Sequence, residues 1–453
     1  MRQSRRGFFK TAAAWGCALG LQPLSKSIEA MAAGPQEGRE FWEMVRRQYF
    51  SLSPDYIYMN NSTFGATLNP VASRMREVQQ LFSQGLYVMR FLREIVFQLP
   101  GIYTRLARLI NGYDQEGGKY IGLVDSVTEG MSLAANGLNL GSGDVILTTD
   151  HEHTGGFTCW SLQKDRRGAK VVEVPLVEGG YGREDWRASF LDRFEAALAS
   201  QPVKAVSFSY ITCSTGHVLP AQELCALARR YGAVSVVDAA QAFAVHQLDL
   251  KSLDCDIMVM NGHKYLGGPI GSGFLCVHPR RLQSLDGFWP TVVDDNVYYP
   301  QQLSSNRPYQ KGGVRSYTNL LPLSEALAFY EELGAELVHN RLYAMGRWLR
   351  TGLSRYGDAF QILTPRQEGQ AVVMTCFRVA GASSSSVVDA LSSQYGLEVK
   401  HAEEGGADAV RLSPHYYNTG DEMLALARAL CQIAGVPLET WLEDNPLDGL
   451  PLR

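Results

Sequence analysis

The chain has 453 residues, 45% of them hydrophobic and 19% charged, with a net charge of -4. That length supports two domains and a large buried core. The balance excludes a disordered chain and offers no basic excess for nucleic acid, so no nucleic-acid partner is expected.

In chain order, the first signal is Ser4-Arg5-Arg6-Gly7-Phe8-Phe9-Lys10, followed by a modestly apolar run from Thr11 to Leu24. Small residues in Ala30-Met31-Ala32-Ala33 suit signal-peptidase cleavage. Residues 1–33 therefore read as a twin-arginine signal, which implies export by the twin-arginine translocase to the periplasm. The apolar run is too short for a secure membrane span. Cys17 follows Trp15-Gly16, a poor lead-in for a lipoprotein site. The other seven of the 8 cysteines form no C-x-x-C pair. Neither zinc nor a disulfide framework is indicated, although one disulfide is compatible with an oxidising compartment.

Residues 34–60 read as an N-terminal segment, with Phe41, Trp42, Val45 and Tyr49 on one side of a helix. The apolar stretch at Tyr56 runs into Asn60-Asn61-Ser62-Thr63-Phe64-Gly65. This turn is either a domain-entry loop or a substrate-lining segment acting through Asn60 or Asn61. Val71 to Leu109 is mostly helical in pattern. A short strand at Tyr120–Val124 leads to Asp125-Ser126-Val127-Thr128-Glu129-Gly130, the start of an apolar helix. A helix start offers free N–H donors that bind phosphate, but Ser and Thr also cap helices for stability alone.

The strand Asp144–Thr149 ends at Asp150-His151-Glu152-His153. Two histidines at i, i+2 lack a second ligand cluster, so no metal site is expected. The competing role is a flat ring stacked on an aromatic group. Ala205–Ile211 is a further strand. Val234–Asp238 ends in an acid with Gln241 three residues on, and Asp256–Asn261 leads into Gly262-His263-Lys264. In a parallel sheet Asp238 and Lys264 emerge at one carboxyl edge, where open α/β sheets bind ligands. A lysine able to form a Schiff base and an acid able to face a pyridinium nitrogen are two needs of pyridoxal 5'-phosphate (PLP) chemistry.

Alternating strands and helices over 119–277 predict a mostly parallel sheet covered on both faces. A long helical pattern from Leu323 opens a smaller C-terminal α/β domain. Its polar loop starts at Arg411, either surface charge or a carboxylate clamp. The organisation is then 1–33 signal, 34–60 N-terminal segment, 61–322 large domain, and 323–453 interdomain helix with the small domain.

Asp238-x-x-Gln241, Gly262-His263-Lys264-x-x-x-Gly268-Pro269, Thr128-Glu129-Gly130, Glu152-His153 and Arg411-x-Ser413-x-x-x-Tyr417-Asn418-Thr419 occur in an order that resembles the class V aminotransferases. That family includes cysteine desulfurases and isopenicillin N epimerase-like enzymes. The resemblance implies PLP fold type I, with a seven-stranded-type sheet, a PLP cofactor and a homodimer. It implies that Lys264 binds the cofactor and moves protons, that Asp238 pairs with the ring nitrogen, and that Gln241 meets the ring oxygen. His153 would stack on the ring, and Thr128 and His263 would hold the phosphate. Arg411, with Asn60 nearby, would bind the substrate carboxylate. Three positions depart from the pattern: Asn261 where relatives have Ser or Thr near the phosphate, Gly313 for a threonine that crosses a dimer interface, and Cys213 for an asparagine.

No cysteine lies in Val399–Ala409, where desulfurases need one. Class V motifs behind an export signal resemble the periplasmic PLP enzymes of pyoverdine siderophore biosynthesis. This implies a siderophore-peptide or other small-molecule substrate, with a glutamate converted into a succinamide group. The alternatives are a periplasmic aminotransferase, an epimerase, or a PLP-fold binder without turnover; the intact Lys264, Asp238 and Arg411 set speaks against the binder.

Overall fold

The structure, a computed structural model, describes residues 38–85, 99–178, 180–282 and 316–446. The twin-arginine stretch, Cys17 and Gly313 lie outside the described residues.

The chain enters through helix Arg39–Tyr49, whose Phe41, Trp42, Val45 and Tyr49 are buried. Their spacing puts one apolar face on the core. Strand β1 (Ile57–Tyr58) follows. The large sheet holds β2 (Ile121–Val124), β3 (Val145–Thr149), β4 (Lys170–Val174), β5 (Val203–Ser209), β6 (Val234–Asp238), β7 (Ile257–Asn261) and β8 (Gly273–Val277). Their order is β2-β8-β7-β6-β5-β3-β4.

Four pairings are parallel, and β8 runs antiparallel to both β7 and β2. No helix intervenes between β7 and β8, so the chain has no crossover to make that pair parallel. Strands β3, β6, β7 and β8 are buried along their whole length. Helices cover both faces, which is why these strands read as unbroken apolar runs. The order reverses between β3 and β5, which opens a crevice at their carboxyl ends.

The small domain contains β9 (Phe360–Ile362), β10 (Thr375–Val379), β11 (Leu397–Glu398), β12 (Lys400–Ala402) and β13 (Ala409–Leu412). Four of these form the antiparallel sheet β12-β13-β10-β9. Strand β11 instead pairs with β1 in parallel, and Asn60 bridges Ser413. The described part of the N-terminal segment, from 38 to 60, thus pairs with strands of the small domain through Ile57, Tyr58 and Asn60. Arg341 strengthens this join: its guanidinium lies 4.6 Å from the Trp42 ring and donates to the Tyr416 and Asn418 carbonyls at 2.7 and 2.8 Å.

Helices Asn69–Ser83 and Leu99–Leu109 occupy the ends of the helical region expected over 71–109, and 86–98 lies outside the described residues. The sequence reading of a smaller C-terminal α/β domain did not single out β9 or β12. Each is only three residues long, too short for alternation to register. The seven cysteines of the described residues all carry free thiols. Among the described residues no group of side chains is arranged to hold a metal ion, and no helix is long and apolar enough to cross a membrane.

Candidate active site

At the carboxyl edge of the large sheet lies a cavity of 360 Å³. It is lined from the large domain by Thr128, His153, Asp238, Gln241, Asn261, His263 and Lys264, and from the small domain by Lys400 and Arg411.

Asp238 ends β6 and is 4% exposed. Its Oδ1 accepts the Ala240 N–H at 2.8 Å. Burial raises its pKa, and the Ala240 N–H and the Lys264 charge oppose that rise. Gly156 makes room for the carboxylate, because a Cβ there would stand 2.6 Å from Asp238 Oδ2. Lys264 sits on the turn after β7. Burial lowers its pKa to about 8, with Asp238 opposing. The backbone here is clamped: Gly65 N–H donates to the His263 carbonyl at 2.9 Å, and any side chain at Gly65 would overlap the Lys264 carbonyl.

The start of helix Val127–Gly137 forms the next wall. Ser126 Oγ accepts Glu129 N–H at 3.2 Å, and Asn261 Oδ1 accepts Val127 N–H at 3.0 Å. Of the first-turn donors, the Thr128 N–H is left without a partner among the described residues. Asn261 thus spends its oxygen on the helix start and leaves its NH₂ for the cavity. His263 Nδ1 donates to the Ser272 carbonyl at 3.1 Å, which leaves Nε2 bare in the neutral ring. Burial and then Lys264 lower the His263 pKa, so it must gain a proton to donate to an anion.

His153 caps the helix Thr154–Arg167, its Nδ1 accepting Gly155 N–H at 3.0 Å. Burial, then Lys264, lowers its pKa, and the ring stands neutral against the cavity. Gln241 donates through Nε2 to the Ser62 carbonyl at 3.0 Å, while its Oε1 is buried without a partner.

Arg411 on β13 is 1% exposed. It donates to the Cys213 carbonyl at 2.6 Å, to Asn60 Oδ1 at 2.9 Å and to Thr63 Oγ1 at 2.8 Å. Its Nε is buried without a partner. Asn60 meets Arg411 here: its Oδ1 accepts from Arg411 and from Thr63 Oγ1, so it orients the arginine. Asn61 bonds Ser413 and Tyr417 and is structural. At Cys213 it is the backbone carbonyl that serves the site, while burial pushes the thiol up to about 12.

Two residues escaped the sequence reading. Thr63 shares the Arg411 contact described above. Lys400 stands directly opposite Arg411 on β12, so both project from one face of the small sheet. Glu404 lies 3.4 Å from the Lys400 ammonium and partly offsets the like-charge pair. The strand reads Lys400-His401-Ala402, without alternation, so its sequence offered no signal.

A family model described as Aminotransferase class-V matches residues 92–426. The isopenicillin N epimerase of Streptomyces clavuligerus is 30% identical over 410 residues, covering 87% of this chain and 98% of that protein. A probable cysteine desulfurase of Halobacterium salinarum is 26% identical over 395 residues, covering 83% and 91%. A solved variant of C-DES, with glycine covalently linked to its PLP cofactor, matches with a TM-score of 0.73 at 22% identity. That alignment covers 86% of this chain and 99% of that one, and it shows the shared PLP fold type I architecture. With matches of this reach in sequence and in fold, the chain belongs to the class V aminotransferase family.

Proposed function

We propose that the chain is a PLP-dependent enzyme acting at the α-carbon of an amino-acid group. The observation that carries this reading is the convergence of Lys264, Asp238 and Arg411 on one cavity. The residues present fit the cofactor on independent grounds. The Thr128 N–H is unspent at a helix start, where phosphate binds. Gln241 Oε1 is buried without a donor, which a ring hydroxyl would supply. Gly156 leaves Asp238 open where a side chain would cover it.

Thr128, Asn261 and His263 would hold the phosphate, His153 would face the ring, and Lys264 would hold the cofactor covalently. When bound, PLP supplies an electron sink for the bonds at the α-carbon. The chain's own residues do the rest. The Asp238 carboxylate holds the proton on the ring nitrogen. Arg411 binds the α-carboxylate as a buried cation whose Nε is still unpartnered. Lys264, with its pKa near 8, takes and returns the proton at the α-carbon. The cavity lies at the small end of the range for small-molecule sites, about 300–1,000 Å³, so it admits the amino-acid head of a larger substrate. A neighbouring cavity of 710 Å³ shares Phe64 with it and offers Tyr56, Tyr58 and Arg76 to the remainder.

The finer reading is periplasmic tailoring of the pyoverdine siderophore, converting a peptide-borne glutamate into a succinamide group. It is supported by the twin-arginine signal and by the lack of a cysteine over 399–409, which disfavours persulfide chemistry. With dioxygen as oxidant, the α-carboxylate leaves as carbon dioxide, the nitrogen stays as the amide, and one water is released. The protein acts as a homodimer in this reading. Incubation with a glutamate-bearing pyoverdine precursor and mass analysis of the product tests it. A succinamide mass supports the reading. A keto-acid mass indicates transamination, and unchanged mass with inverted configuration indicates epimerisation, the activity named for the Streptomyces relative; either overturns the succinamide assignment.

A further inference from the structure

Behind Asp238 the crevice between β3 and β5 holds a second, half-buried carboxylate, Glu152, three residues beyond the end of β3. Its Oε1 accepts from Thr149 Oγ1 at 2.6 Å and from Ser209 N–H at 3.1 Å. Its Oε2 accepts from Ser209 Oγ at 2.7 Å. Ser209 is in turn the register partner of Asp238 on the adjacent strand. Glu152 is thus held by the serine that pairs in register with Asp238 on the adjacent strand.

Three donors to one carboxylate would staple the loop that presents His153, and a neutral amide could do that equally well. A charge costs more to bury than an amide. What the acid adds is a negative charge beside Asp238, close enough for the two to act on each other. A neighbouring anion makes a carboxylate hold a positive partner more strongly, and the effect is large where water is excluded.

We propose that Glu152 is a positioning residue for the cofactor: its negative charge, held one strand away by Ser209, strengthens the grip of Asp238 on the protonated ring nitrogen. This rests on the PLP reading above. The ring would then keep its proton, and with it its power as an electron sink, through a charge that never touches it. Neither His153 nor Lys264 supplies this: a neutral imidazole adds no charge, and an ammonium at Lys264 acts in the opposite direction.

The test is Glu152→Gln. The amide keeps all three contacts: its oxygen accepts from Thr149 and from the Ser209 N–H, and its NH₂ donates to Ser209 Oγ. Only the charge is lost. Burial pushes Glu152 up to about 7, so titrations are run in buffer well above that value. PLP and an analogue with carbon in place of the ring nitrogen are titrated into wild type and variant, followed by visible absorbance. The inference expects about a tenfold loss of PLP affinity in the variant, worth about 1.4 kcal/mol, and unchanged affinity for the carbon analogue. Equal loss for both ligands would reduce Glu152 to a staple, and no loss for either would leave its charge without a role; each overturns the inference. Glu152→Ala, which removes the staple too, is expected to weaken both ligands. If wild type binds neither, the cofactor reading itself falls.

Discussion

The two ends of the cavity are built in different ways. The cofactor end comes from consecutive strand ends of one sheet: Asp238 after β6, and Asn261, His263 and Lys264 at and after β7. The substrate end is assembled from three separate stretches, in which Arg411 of the small sheet is held by Asn60 and Thr63 of one turn and by the Cys213 carbonyl. The first end is rigid because its strands are buried on both faces. The second depends on how the two domains meet. Changes at one end should therefore alter cofactor capture, and changes at the other should alter substrate recognition, with little exchange between them.

The largest break is expected from Lys264→Ala. Losing the group that moves the α-proton should lower kcat by about 10²–10⁴-fold. Isothermal titration of substrate should still show binding through Arg411. Next is Arg411→Met. Removing a buried, hydrogen-bonded charge costs about 2–5 kcal/mol, so kcat/KM for a carboxylate-bearing substrate should fall about 30-fold to 10³-fold or more. Cofactor affinity should stay within error, and an amine lacking the carboxylate should lose far less. If cofactor affinity falls equally, the two ends are not separable.

The pH dependence of cofactor capture sharpens the comparison at the first end. An ammonium is not a nucleophile, and burial brings Lys264 down to about 8. The capture rate by stopped flow should therefore rise about tenfold per pH unit up to about 8 and then level off. A rise continuing to the ordinary lysine value of 10.5 would show that the amine is not desolvated. The smallest effect is expected for Asn261→Ala. The Val127 N–H would lose its acceptor, at about 1 kcal/mol. Cofactor affinity should drop a few-fold while KM is unchanged.

The same contrast explains what could be read in the amino-acid order. Asp238 and Lys264 stand out because each polar residue terminates an apolar run, and a buried parallel strand announces its end that way. The helix start at Ser126 is legible through its cap and through Glu129, whose side chain returns to the Asp125 N–H. Chain direction is not encoded in apolar patterning, so the antiparallel placement of β8 could not be read from it. Lys400 was invisible because its strand is three residues long and its meaning comes from register with Arg411. The part played by Asn60 could not be read, because an exposed polar turn and a buried supporting turn have the same composition. Only the bond from Arg411 distinguishes them.

The claim on which the rest depends is that Lys264 captures PLP opposite Asp238. Borohydride reduction of the PLP-loaded protein, digestion and peptide mass spectrometry test it directly. The prediction is one reduced pyridoxyl adduct, on the peptide containing Lys264 and absent in Lys264→Ala. An unmodified Lys264 peptide, or an adduct resting chiefly on Lys400, would contradict it.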